Sequence, residues 1–144
     1  MDGIQMVNFN EQLLKDYFSR QADIEFVLLF GSFASGRVSP MSDIDVALYF
    51  RGEKKALELA DRQIDITCAL MRFCKINRVD AVVLNTAHPF LKFQAVKYGR
   101  LLYVKDEKMF YCFKANTLGE YQDIRPMYDL YDKMTRNNLM KYGG

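Results

Sequence analysis

The chain has no tryptophan, only one histidine, and three each of cysteine and proline among its 144 residues. With His88 the sole imidazole and Cys68, Cys74 and Cys112 forming no short ligand pair, a zinc centre of the usual Cys/His kind is excluded. An odd number of dispersed cysteines suits reduced thiols in a cytosolic protein, so the expected location is cytoplasmic. No apolar run approaches the ~20 residues that cross a bilayer. Met1-Asp2-Gly3-Ile4-Gln5 also lacks the basic-then-apolar pattern of a signal peptide. An excess of one charge is missing too. The net charge is +2 with Lys and Arg spread along the chain, which argues against a dedicated nucleic-acid surface. Repeats, low-complexity tracts and a convincing linker are likewise absent. One domain is therefore expected over 1–144, with a core at about 10–105 and a helical tail at about 106–140.

What the chain does have is apolar patterning, at 50% hydrophobic residues. Phe9 to Arg20 has helical spacing, with Leu13, Leu14, Tyr17 and Phe18 on one side and Asn8 or Asn10 to cap it. Ile24 to Phe30 is almost continuously apolar, the pattern of a strand buried on both faces. A Gly-Ser turn and a short helix ending at Ser39-Pro40 follow. Asp43 to Phe50 reads as a second strand closed by Arg51-Gly52. From about Lys54 to Cys74 the spacing of Leu57, Ala60, Ile64, Thr67, Cys68 and Met71 predicts a helix laid on the sheet by that face. Val79 to Leu84 is a third strand. Asn85 or Thr86 then caps a helix with His88-Pro89 in its first turn and Gly99 at its end. Leu101 to Val104 is a short edge strand. The tail from Asp106 to Met140 has helical spacing that Pro126 should kink or divide. Its aromatics and methionines either complete the core or form a partner surface.

The most informative stretch runs from Gly31 to Val46. Gly31-Ser32 directly follows the first strand, and ten residues later Asp43-Ile44-Asp45 opens the second. Gly31 lets a backbone approach a phosphate closely, Ser32 adds a hydroxyl donor, and a helix opening there offers free N–H groups. Strand side chains alternate, so Asp43 and Asp45 share a face about 7 Å apart. Carboxylates so placed suit Mg²⁺, which takes one or two of them and completes its shell with waters and phosphate oxygens. Either half alone is commonplace; together they describe a site for a nucleoside triphosphate and a divalent metal. A third acid is sought on another strand. Asp80 stands where a buried strand would carry an apolar residue, whereas Asp23 precedes a strand and Asp61 and Asp65 fall on a helical pattern. Ser42 beside Asp43 and Arg37 in the loop are further candidates to touch the nucleotide. His88 reads as helix-start packing.

Gly-Ser-x10-Asp-x-Asp resembles the signature of the DNA polymerase β-like nucleotidyltransferases, and the compactness is most similar to the minimal nucleotidyltransferase group of antitoxins. Arg78-Val79-Asp80-Ala81-Val82-Val83-Leu84-Asn85 resembles that family's third-acid strand. The resemblance implies an α+β fold with a small mixed sheet flanked by helices and a C-terminal helical tail. It implies catalytic and metal-holding roles for Asp43, Asp45 and Asp80, nucleotide binding by Gly31, Ser32 and Ser42, and two Mg²⁺ ions. It further implies transfer of a nucleotide monophosphate, AMP from ATP, to a hydroxyl of a helical HEPN-type toxin. Two other readings remain open here: an aminoglycoside-type small-molecule nucleotidyltransferase, and a binding module that neutralises its partner by contact. The edge strand and aromatic tail also invite a homodimer.

Overall fold

The computed structural model describes residues 2–30, 44–74 and 78–142, and side chains over 11–30, 44–74 and 78–137. Helix α1 (Asp2–Ser19) leads into strand β1 (Ile24–Phe30), and β2 (Ile44–Phe50) is followed by α2 (Ala56–Cys74). Then come β3 (Val79–Val83), a 3₁₀ turn (Leu84–Thr86), α3 (Pro89–Tyr98), β4 (Arg100–Val104) and the long α4 (Glu107–Tyr142). The strands lie in the order β3-β2-β1-β4. Strand β1 is antiparallel to both its neighbours, while β2 and β3 are parallel with α2 as the crossover. This is the mixed sheet with flanking helices and long C-terminal helix that the sequence led us to expect.

The continuous apolar run of β1 is explained by its central place. Ile24, Val27 and Leu29 pack towards Leu14 and Phe18 of α1 and Ile66 and Leu70 of α2. Phe26 and Leu28 face the other way, into a second cluster with Ala95 of α3 and Phe110 of α4. Both faces are therefore dry. The change of parity between Ile24 and Phe26 comes from an irregularity in the β1–β2 register, where the buried Glu25 sits 3.7 Å from Arg51. On the α3/α4 face Phe26 stacks on Tyr49 (5.0 Å, 6°) and meets Phe110 edge-on at 5.0 Å. Phe93 stacks on Tyr121 at 3.7 Å, and Lys92 pairs with Glu120, which fixes α3 against α4.

Several expectations need correction. Helix α2 forms, but it buries Leu59, Ile66, Ala69, Leu70 and Cys74. Leu57 and Ile64, expected inward, are 79% and 61% exposed, and Cys68 is exposed with them. Both sets have helical spacing, so periodicity alone chose the wrong stripe. Neither Asn85 nor Thr86 caps α3; His88 stands at its N-cap with Pro89 inside the first turn. The Asn85 side chain instead bridges to β2, accepting from the Phe50 N–H and donating to the Phe50 carbonyl, both at 2.9 Å. Pro126 does not divide the tail, which continues as one helix through it. Helix α1 begins well before Phe9. The α4 tail completes the core only in part. Phe110 and Thr117 are buried, whereas Met127, Leu130, Tyr131 and Met134 are exposed. The turn at Arg51-Gly52 is as expected, with Gly52 at φ +74°. Among the described residues no helix is long and apolar enough to cross a membrane.

Candidate active site

Pairing across three strands places Phe30, Asp45 and Asp80 in one row. Phe30 is the partner of Asp45 in the β1–β2 ladder, and Asp45 is the partner of Asp80 in the parallel β2–β3 ladder. Neighbouring strands lie about 4.8 Å apart, and directly paired residues project from the same face. The two acids are therefore side by side on the α3/α4 face, at the end of the sheet where β1 finishes and β2 and β3 begin. They line a cavity of about 470 Å³ whose opposite wall is Leu91, Gln94 and Tyr98 of α3. Those three recur at i, i+3 and i+7, one stripe of a helix. Gly99 holds α3 close to the sheet: a β-carbon there would lie 3.1 Å from Leu28 Cβ and 3.3 Å from Phe30 Cε1.

Asp80 lies in register with Asp45, but it is not the buried acid that its place in the strand suggested. Strand β3 is an edge strand and Asp80 is exposed, so the carboxylate carries no burial cost that needs a metal to relieve it. Its claim rests on register with Asp45. The rival acids fall elsewhere. Asp23, at the far end of β1, takes two hydrogen bonds from Arg62 at 2.8 and 2.9 Å and lies 3.4 Å from Lys54. Burial acts to raise its pKa, but the bonds and charge of Arg62, with Lys54, outweigh that and hold the carboxyl below the usual range. Asp61 and Asp65 are exposed on α2. Glu11, held low chiefly by its bond from Arg100, ties α1 to β4. None of these lines the cavity. Burial pushes the Cys74 thiol up to about 11, which makes it inert packing rather than a nucleophile.

Gly31, Ser32, Ser42, Asp43 and Arg37 lie outside the described residues. Among the described residues no group of three His, Cys, Asp or Glu side chains is placed to hold a metal. Asp45 and Asp80 supply two carboxylates on one face, a set suited to a hard cation such as Mg²⁺, and Asp43 precedes Asp45 by two residues in sequence. Sequence reasoning missed the α3 wall. Gln94, a polar residue between Phe93 and Ala95 in register with Leu91 and Tyr98, was the available signal.

A mixed sheet whose adjacent strand ends carry paired acids beside a cavity can hold a hard cation next to a small ligand. Comparison with known proteins identifies the family. The model of the polymerase β nucleotidyltransferase family matches residues 12–108, and the chain belongs to that family. A search of curated proteins finds no match. Among solved structures the fold is similar to a chain of the tri-AMPylated Shewanella oneidensis HEPN toxin in complex with MNT antitoxin. That match has 20% identity and a TM-score of 0.68, covering 90% of this chain and 98% of the other. It is also similar to a toxin–antitoxin structure with AMP-PNP, at 21% identity and TM-score 0.69, covering 88% and 98%. A toxin–antitoxin MntA-HepT chain aligns at 21% identity and TM-score 0.65, covering 89% and 98%.

Proposed function

We propose that the chain is the antitoxin of a toxin–antitoxin pair and transfers AMP from ATP to a hydroxyl of a helical HEPN-type toxin. The observation that carries this reading is the row placing Asp45 beside Asp80 on one wall of the cavity, two residues after Asp43 in sequence. Gly31 and Ser32 hold the outer phosphates and Ser42 assists beside Asp43. Asp43, Asp45 and Asp80 hold Mg²⁺, which when bound neutralises charge on the entering and leaving oxygens. Asp80, nearest the open edge of the sheet, orients the acceptor hydroxyl and takes its proton. The hydroxyl oxygen bonds to the α-phosphorus, the bond from that phosphorus to the bridging oxygen breaks, and pyrophosphate leaves.

Support for a protein acceptor comes from two directions. The tail exposes Met127, Leu130, Tyr131 and Met134, soft and aromatic side chains of the kind enriched at interfaces. The similar solved structures include a HEPN toxin that is tri-AMPylated in complex with its antitoxin, and a toxin–antitoxin complex with AMP-PNP. One domain acting in the cytoplasm is part of the same proposal. Radiolabelled ATP, magnesium and a HEPN toxin partner test it: the partner should become labelled, and Asp45→Ala should abolish the label. Neutralisation that survives Asp45→Ala without label would favour the contact-only module. Label appearing only on an aminoglycoside would favour the small-molecule enzyme.

A further inference from the structure

Helix α2 carries two apolar stripes, and the core uses only one of them. The other, Leu57, Ala60, Ile64, Cys68 and Met71, advances in steps of three and four along the far side of the helix. Leu57 is 79% and Ile64 61% exposed, Ala60 and Cys68 are exposed with them, and Met71 is half-buried. The helix packs on the α1 face of the sheet, opposite the face that carries α3, α4 and the acids. Midway along the stripe a hollow of about 200 Å³ is bounded by Gln63, Ile64, Thr67 and Cys68. Residues at i, i+1, i+4 and i+5 form the four-cornered hole that receives one side chain of a facing helix. Its walls are held in place. The Gln63 amide donates to the Ala81 carbonyl of β3, and the Thr67 hydroxyl donates to the Gln63 carbonyl.

The stripe reads alike in both directions from Ile64: Leu57 and Met71 stand seven residues to either side, Ala60 and Cys68 four. That symmetry suits an isologous contact, in which one patch meets its own copy across a two-fold axis. Charge agrees with it. Laid antiparallel about Ile64, the exposed Glu58 and Asp61 of one copy fall beside the exposed Arg72 of the other, on the same flank. Asp65, close to the axis, is already paired with Arg62 at 3.6 Å. A parallel arrangement would set Glu58 against Glu58 and Arg72 against Arg72. We propose that two copies of the chain associate through this stripe, α2 against α2 and antiparallel, with each Ile64 seated in the hollow of the other. One helix of 19 residues offers less than the ~800 Å² per partner of a standard interface. The dimer is therefore weak, with a Kd on the order of tens of micromolar, and below that concentration the chain is a monomer. The inference does not depend on nucleotidyl transfer.

Sedimentation equilibrium of the full chain, from about 5 to about 500 µM, should show reversible monomer–dimer association. Ile64→Glu sets like charges face to face on the axis and should stay monomeric over that range. The position is exposed, so this variant should still unfold at the wild-type midpoint. Asp61→Arg and Arg72→Glu should each weaken association by roughly fivefold or more, and the double variant should regain most of the loss. Register is read by cross-linking in a Cys112→Ser background. There Asp61→Cys should give a reducible dimer joining position 61 of one copy to Cys68 of the other. Within one helix those positions lie about 10.5 Å apart and cannot bridge. The wild-type measurement stands even if a variant misfolds. A chain that is monomeric at every concentration overturns the inference, as does an Ile64→Glu variant that associates like wild type. A cross-link joining position 61 to position 61 would overturn the antiparallel arrangement. Self-association lost in Leu130→Glu but kept in Ile64→Glu would move the contact to α4. Weakened capture of a HEPN toxin by Ile64→Glu, with self-association intact, would give the stripe to the toxin instead.

Discussion

Replacing Asn85 with alanine tests what keeps Asp45 and Asp80 in register. The Asn85 amide makes two hydrogen bonds to one residue of β2, to the N–H and the carbonyl of Phe50, each at 2.9 Å. Phe50 is fully buried. Removal would forfeit two neutral hydrogen bonds of about 1 kcal/mol each and leave buried backbone groups without partners, at about 1–3 kcal/mol apiece where water cannot reach them. Partial access through the half-buried Asn85 position brings the expected total to about 2–4 kcal/mol. For a chain of this size that corresponds to a fall in Tm on the order of 5–15 °C. Urea unfolding followed by far-ultraviolet circular dichroism reads it directly, since the chain has no tryptophan to report. The midpoint should drop with the slope unchanged. A loss below about 0.5 kcal/mol, the size of an ordinary surface substitution, would refute the claim that this amide anchors the end of β3.

The corrected face of α2 gives a paired prediction. Ile66→Ala and Leu70→Ala should each cost about 2–5 kcal/mol, while Ile64→Ala should stay within about 0.5 kcal/mol; the reverse order in denaturant midpoints would restore the other stripe. Acid sensitivity is predicted from Asp23 and Glu11, whose folded-state pKa values lie below their ordinary ones of 3.8 and 4.5. A lowered carboxyl contributes stability above its unfolded pKa and loses it as pH falls through the folded value. Urea midpoints should therefore decline below about pH 4, and less steeply in Asp23→Asn. An unchanged acid slope in that variant would assign the decline to other groups.

The sheet and the acids were legible in the sequence for a physical reason. Ile24 to Phe30 had to be dry on both faces, which a central strand satisfies, and Asp45 stands at a strand's start, where carboxylates are tolerated. What was hidden depended on tertiary choice. Helix α2 offers two apolar stripes with the same period, and only the packing of Ile66 and Leu70 against β1 selects one. Asn85 looked like a helix cap because asparagine favours caps. The partner it found, Phe50, is 35 residues away. Pro126 is accommodated inside α4, and its removal of one N–H did not end that helix. The α3 wall needed the fold itself, since Gln94 in register with Leu91 and Tyr98 marks a face of the helix without saying that the face meets an acid.

Calorimetric titration of a non-hydrolysable ATP analogue, with and without magnesium, into wild type and Asp80→Asn probes the central pairing most directly. Asp80 is exposed on an edge strand, so the variant should unfold at the wild-type midpoint. The account predicts magnesium-dependent binding by the wild type that is at least about tenfold weaker in Asp80→Asn, a loss of ~1.4 kcal/mol or more. Equal magnesium-dependent affinity in the two proteins would contradict the joint action of Asp45 and Asp80.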